Sequence, residues 1–431
     1  MKESLCCRPV ELGVSSATDS AAPEGESHAT QAPHVPVDVI DDRDEYLAAV
    51  AAIAAGHGPI GIDAERASGY RYSQRAYLIQ IFRRGAGTFL FDPPAIGDFS
   101  ELNDVIAEEE WILHAATQDL TCLREVGLHP TRLFDTELGA RIAGLPRVGL
   151  GTVVEHLLGI HLAKEHSSAD WSTRPLPQSW LVYAALDVEL LVDLREALGG
   201  VLEGDDKSEI ARQEFESVLA RDLSHVRAEP WRRLSGVHSI RGGKNLAVAR
   251  ELWLARDAYA REVDTAPGRL VPDSALLSAA KLLPESKREL SSLREFSGRA
   301  SRTQIDRWWQ AILAGLASTD IPASRVASDT LPPPRVWSDK NPAADRRLKA
   351  ARALMAEFSE EMSIPIENLL TPDHLRRVAW NPPAEITVDS ISDALTALGA
   401  RRWQLDVSAQ SIAEAFVEAN QTPEDSADTK S

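Results

Sequence analysis

The sequence predicts an α/β domain built on a mixed sheet, followed by one or two all-helical units. Three observations lead there. Short runs rich in Ile, Leu and Phe cluster between residues 59 and 114, helical patterns alone fill the chain after Glu214, and a proline-rich stretch divides that helical part in two. Residues 59–63, 76–82 and 88–91 read as strands, the last ended by Asp92-Pro93-Pro94, and the short gaps between them suit an antiparallel meander. Residues 111–114 form a further short strand leading into a helix that begins near Thr117. Helical patterns follow at 119–126, 136–143, 152–158 and 177–198.

Beyond this domain the strand signal stops. Helices are expected over 247–263, 273–282, 287–296 and 302–316. A linker follows over 319–336, whose Pro332-Pro333-Pro334 cannot continue a helix, and a second helical unit spans 337–419. The two helical units share a faint repeat, Leu270-Val-Pro-Asp and Leu370-Thr-Pro-Asp. Pro272 and Pro372 suit a first helical position, and the next Asp complements the helix N-terminus. The α/β domain is placed at 37–215 and the first helical unit at 235–318. Residues 1–36 and 420–431 are polar, lack a hydrophobic period and are expected to be disordered tails.

Composition narrows the class. With 431 residues, 44% apolar and 26% charged, the chain is long enough for two or three domains with their own cores. No apolar run approaches the ~20 residues that cross a bilayer, and residues 1–36 hold no secretory apolar core, so a cytoplasmic location and no membrane partner are expected. The three cysteines lack metal-ligand spacing, and Cys122 reads as a small buried apolar residue rather than a reactive thiol. The net charge of −19 is unevenly spread. Residues 37–215 carry 15 Lys and Arg against 30 Asp and Glu, whereas residues 231–316 carry 15 against 9. A basic module after an acidic one suits a protein that grips a polyanion with one part and holds cations with another; a mixed solvated surface has the same arithmetic.

Three segments carry the candidate chemistry. In Ile60-Gly-Ile-Asp63-Ala-Glu65 the two carboxylates lie two residues apart, so a strand projects both on one face. Two anions packed together at a sheet repel unless a cation such as Mg²⁺ lies between them; on a solvated edge the same pair has no role. Asp119 follows the strand-to-helix segment Trp111-Ile-Leu-His114-Ala-Ala-Thr-Gln and could equally serve the helix dipole. Tyr183 and Asp187 stand at i and i+4 on one helical face, among leucines.

In this order the three segments resemble the signature of the DEDD exonuclease superfamily, in its tyrosine-bearing branch. The details are similar to ribonuclease D: Tyr77-Leu-Ile-Gln80 after the first motif, His114-Ala-Ala-x-x-Asp119 as the second, and Lys164 with Asp170-Trp171-x-x-Arg174-Pro175-Leu176 before the third. Residues 235–318 resemble an HRDC domain, the helicase-and-ribonuclease-D C-terminal module, and 337–419 a degenerate copy of it.

The resemblance implies an RNase H-like αβα fold and 3′→5′ hydrolysis of RNA from its 3′ end, with structured RNA such as tRNA precursors as substrate. It also implies two divalent cations, Mg²⁺ or Mn²⁺, which in such sites lie about 4 Å apart. Asp63 would bridge both, Glu65 and Asp187 would complete the site of the attacking water, Asp119 would support the second ion, and Tyr183 would orient the water. Lys164 and Arg174 are candidates for phosphate contact, as are Arg232, Arg233, Arg241 and Lys244. Trp171 is either a nucleotide-packing residue or a core anchor. A DNA 3′→5′ exonuclease and a non-catalytic nucleic-acid binder remain as alternatives, although no phosphate-binding Gly-x-x-x-x-Gly-Lys loop of a helicase is present. Nothing in the residues sets the oligomeric state.

Overall fold

The computed structural model describes residues 38–162, 168–222, 228–324 and 331–421. The expected tails therefore lie almost wholly outside the described residues, as do Lys164 and the middle of the 319–336 linker.

Six strands form one mixed sheet: β1 (Val39–Ile40), β2 (His57–Arg66), β3 (Ala76–Arg84), β4 (Gly87–Phe91), β5 (Glu110–Leu113) and β6 (Arg132–Asp135), in the spatial order β1-β4-β3-β2-β5-β6. The expected meander is present, with β2 antiparallel to β3 and β3 antiparallel to β4. β5 joins β2 in parallel and β6 joins β5 in parallel. Alternation along β2 sends Ile60, Ile62 and Ala64 into a core shared with Tyr46, Ile53 and Phe91. Gly61, Asp63 and Glu65 take the opposite face.

Several features escaped the sequence reading, the helices Ser100–Ile106 and Ser208–Ala220 among them. β1 and β6 are too short to show a period. The helix Arg43–Ala55 is so rich in Ala that its inner and outer faces hardly differ, although Asp42 caps it by accepting bonds from the Asp44 and Glu45 amides. The helix expected over 177–198 is two helices, Gln178–Glu189 and Leu191–Gly204, meeting at Leu190.

Among the described residues after Ala220 every regular element is helical. One core gathers Leu252, Leu276, Trp308 and Ile312 between the helices Gly243–Glu262, Asp273–Leu282 and Ile305–Ala317. A second gathers Trp337, Leu348, Ile391 and Phe416 between Pro342–Met362, Val388–Ala397 and Arg402–Gln421. Pro372 occupies the first helical position as expected, whereas Pro272 sits one residue earlier, as the N-cap of Asp273–Leu282. The last helix continues through Asn420, where a tail was expected to begin.

Both helical units dock on the sheet domain. The segment between β2 and β3 is tied to the first unit: the Ser73 amide and the Tyr77 hydroxyl donate to Asp264 (3.0 and 3.1 Å), the Tyr72 hydroxyl donates to Asp257 (3.0 Å), and the Ala266 amide donates to the Tyr70 carbonyl (2.9 Å). The second unit is tied through Glu214, which is buried and accepts bonds from Arg401 (2.5 and 2.6 Å) and from the Trp403 indole (2.8 Å).

Candidate active site

The sheet brings the three sequence segments together. Asp63 and Glu65 lie on the helix-facing side of β2, and the Gln178–Glu189 helix crosses that face. Asp63, Glu65 and Asp187 each offer a carboxylate oxygen, and these atoms lie within 4.8 Å of one another. Close approach is possible because Gly61 has no side chain: a Cβ there would stand 2.7 Å from the Val188 carbonyl oxygen and 3.3 Å from Leu191 Cβ.

Asp119 falls outside that trio but is coupled to it by charge. It closes the 3₁₀ turn Ala116–Gln118 and opens the helix Leu120–Glu125. The turn is held from below by Asp135, whose carboxylate accepts bonds from the Ala115 and Ala116 amides (3.0 and 2.9 Å) and also caps the Thr136–Ile142 helix through Glu137 and Leu138. Ala115 takes a left-handed backbone, φ 61°, which the two hydrogen bonds accepted by Asp135 help to maintain. Asp135 was missed in the sequence, although an Asp directly before a helix is a capping signal.

The electrostatics are those of crowded anions. Burial raises Glu65 first, and the charges of Asp63, Asp187 and Asp119 add to it, up to about 10. Asp187 is pushed up to about 8 by burial and by Asp63, against the pull of its hydrogen bond with Tyr183. Asp63 and Asp119 are also raised, chiefly by burial, while Arg66 works in the opposite direction on both. The Tyr183 phenol is driven up by burial and by Asp187, so it keeps its proton at neutral pH.

These residues fit hard divalent cations. The donors are all carboxylate oxygens from three segments, and their mutual repulsion is the condition a cation relieves. Gln80 adds a second sign of a polar site: it pairs with Asp63 across β2 and β3, is fully buried, and neither amide atom has a hydrogen-bond partner among the described residues.

The residues proposed from sequence to touch substrate fare differently. Trp171 is fully buried beside Leu78, Leu90 and Leu181, with Trp180 against it, which favours the core-anchor reading. Arg174 donates to Asp92 (2.5 Å) and to the carbonyls of Trp171, Thr173 and Tyr77, so its guanidinium braces this loop against β3 and β4 rather than standing free for a phosphate. Lys244 donates to the Leu316 and Ser318 carbonyls at a helix end, and Arg232 to Glu229 and the Ala323 carbonyl; Arg233 and Arg241 are exposed. Cys122 is buried and its thiol is pushed up to about 12, as an inert core residue should be. No described helix is long and apolar enough to cross a membrane.

Comparison with known proteins agrees with the geometry. Residues 37–203 match the family model described as 3′-5′ exonuclease, 245–312 the HRDC domain, and 330–416 the 3′ to 5′ exonuclease C-terminal domain. The chain is 30% identical to ribonuclease D of Jannaschia sp. (strain CCS1) over 330 residues, covering 74% of this chain and 83% of that one. It is 29% identical to ribonuclease D of Escherichia coli (strain K12), over 76% and 85% of the two chains. Among solved structures, a protein from Bifidobacterium adolescentis superposes with a TM-score of 0.82 at 36% identity, over 89% of this chain and 97% of the other. The E. coli RNase D structure, described as an exoribonuclease involved in structured RNA processing, superposes with a TM-score of 0.65 at 25% identity, over 89% and 99%. With an acidic centre assembled on an exonuclease domain and HRDC following it, this chain belongs to the ribonuclease D family and is a metal-dependent 3′→5′ exonuclease.

Proposed function

We propose that the chain hydrolyses RNA phosphodiesters one nucleotide at a time from the 3′ end, with Asp63, Glu65, Asp119 and Asp187 as ligands of two divalent cations, Mg²⁺ or Mn²⁺. The observation that carries this reading is the convergence of Asp63, Glu65 and Asp187 within 4.8 Å. Cations bound there would supply the positive charge that makes water acidic at neutral pH and that balances the charge growing on the phosphate.

The chain's own residues do the rest. Asp63, whose charge acts on all three other acids, would be the ligand shared by the cations, and Glu65 and Asp187 would complete the place of the attacking water. Asp119, outside the trio, would support the second cation. The Tyr183 hydroxyl donates a hydrogen bond to Asp187, which leaves its oxygen lone pairs to accept from the attacking water. Because its phenol stays protonated, it orients that water and does not deprotonate it.

In this reading residues 37–215 form the catalytic domain, 235–318 an HRDC domain, and 337–419 a degenerate copy of that fold. Structured RNA as substrate is supported by the E. coli neighbour, an exoribonuclease involved in structured RNA processing, and the 3′ ends of tRNA precursors are proposed as one such substrate. The test is a time course on 5′-labelled RNA and DNA of matched sequence with Mg²⁺ or Mn²⁺, beside Asp63→Ala. A ladder of RNA products shrinking from the 3′ end with the wild type alone is expected. Preferential shortening of DNA would move the assignment to a DNA exonuclease, and tight RNA binding without cleavage would make the chain a binder.

A further inference from the structure

We infer that Arg66, the last residue of β2, is the phosphate-contacting side chain of this centre and holds a backbone phosphate at the 3′ end of the strand. The inference rests on the reading of the site as a nuclease centre for RNA.

Arg66 follows Glu65 directly, and its guanidinium lies 3.6 Å from the Asp119 carboxylate, too far for a good hydrogen bond but close enough for charge attraction. Among the described residues it has no hydrogen-bond partner. That sets it apart from Arg71, Arg174 and Arg269. Arg71 donates to Ser172, Arg174 is held by Asp92 and three carbonyls, and Arg269 donates to the Gly69 carbonyl. Its side chain is 26% exposed, whereas that of Asp119 is 8% exposed, so the guanidinium sits at the mouth of the cluster with the acid behind it.

Its charge is felt inside. Arg66 lowers the cost of charging Asp63, Glu65 and Asp119 alike. A buried structural arginine normally saturates its planar fork with acceptors, as Arg174 does. Arg66 keeps five N–H donors with no acceptor in hydrogen-bond range, beside carboxylates whose own charge would repel a phosphate. A phosphodiester approaching those acids needs a local cation that reaches outward, and a guanidinium fork matches two phosphate oxygens. Cations at the carboxylates would weaken the pull of Asp119 on Arg66 and free it to turn toward the strand.

A double-mutant cycle between protein and backbone tests this. Single-stranded RNA carrying one neutral methylphosphonate linkage, placed at successive positions back from the 3′ end, is titrated with the full-length chain by fluorescence anisotropy. Ca²⁺ replaces Mg²⁺ to keep the strand intact. Wild type should lose about tenfold in affinity when one linkage near the 3′ end is neutralised, the scale of one charge-assisted contact. Arg66→Gln should lose a similar factor with unmodified RNA and show no further loss at that linkage, while Arg66→Lys regains part of it. Thermal melting checks that both variants fold. If Arg66→Gln keeps the wild-type sensitivity at every linkage, Arg66 serves Asp119 only and the inference is overturned. Wild type that binds no RNA would instead overturn the reading of the whole centre.

Discussion

Gly61 on β2 and Val188 on the crossing helix are in near contact: a methyl group on Gly61 would meet the Val188 carbonyl oxygen at 2.7 Å. Val188 adjoins Asp187, and Gly61 stands two residues from Asp63, so this contact sets the distance between two carboxylates of the site. Gly61→Ala is expected to push the helix away from β2 by a few tenths of an ångström or more. A displacement approaching 1 Å costs about 10²-fold in rate. The check is turnover on 5′-labelled RNA beside circular dichroism; a folded variant with wild-type turnover would show that the centre tolerates the shift.

Clustered anions make the metal-free protein less stable than it could be. Asp187→Asn removes a carboxyl that must take up a proton to be buried at neutral pH without metal, so in EDTA the variant should melt at a higher temperature than wild type. Millimolar Mg²⁺ should then raise the wild-type melting temperature and leave the variant nearly unchanged. Hydrolysis should vanish in Asp187→Ala, whereas Tyr183→Phe, which loses only the orienting hydroxyl, should keep a measurable remnant. An active Asp187→Ala enzyme would refute the site assignment.

His114, at the end of β5, supplies a pH dependence outside the acidic cluster. Burial lowers it from 6.5 to about 4, and its ring nitrogen lies 2.9 Å from the Thr136 hydroxyl. Between those values the unfolded chain binds the proton and the folded one does not, so stability rises with pH. The contribution is complete above pH 6.5 and is lost as pH falls toward 4, on the order of 3 kcal/mol in all. Urea titrations of wild type and His114→Asn from pH 4 to 7, superposed at neutral pH to remove the intrinsic difference between the side chains, should separate toward the acid end, where wild type loses stability that the variant keeps. Parallel curves across that range would count against a neutral, buried imidazole.

Arg174 should behave as a brace. With its fork on Asp92 and three carbonyls, Arg174→Ala leaves a buried carboxylate without its cation and should cost about 3 kcal/mol of stability. At a temperature where the variant is folded, the salt dependence of RNA binding should match wild type, because no phosphate contact is lost. A salt slope shallower by about one unit would return Arg174 to the substrate-binding side.

Glu214 tests how far the last helical unit depends on the catalytic domain. It is buried and accepts from Arg401 and Trp403, some 190 residues away in sequence. Glu214→Ala strands the Arg401 charge and should destabilise by about 3–5 kcal/mol. Limited proteolysis should then release the C-terminal helices before the catalytic domain is cut.

Much of this was legible along the chain because local pattern and chemistry coincide there. The period of two across Asp63 and Glu65 puts both acids on one strand face, and the i, i+4 spacing of Tyr183 and Asp187 makes their hydrogen bond a local matter. Helices after Ala220 followed from their periodic apolar faces. The order of the acidic motifs, set against the ribonuclease D pattern, pointed to the chemistry.

Other features depend on contacts between segments far apart in sequence. That Arg174 is a brace depends on Asp92 of the β4 end, and that Trp171 is core depends on β3 and the Gln178–Glu189 helix, so the sequence pointed Arg174 to a phosphate and left Trp171 open. Arg66 carried no signal, since an arginine after a strand is ordinary until Asp119 is folded beside it. Asp135 reads as a simple helix cap until the turn carrying Asp119 is found resting on its other oxygen. Periodicity reports which face a residue takes within its own element, whereas charge and hydrogen bonding act over a few ångströms between elements whose packing only the folded chain determines.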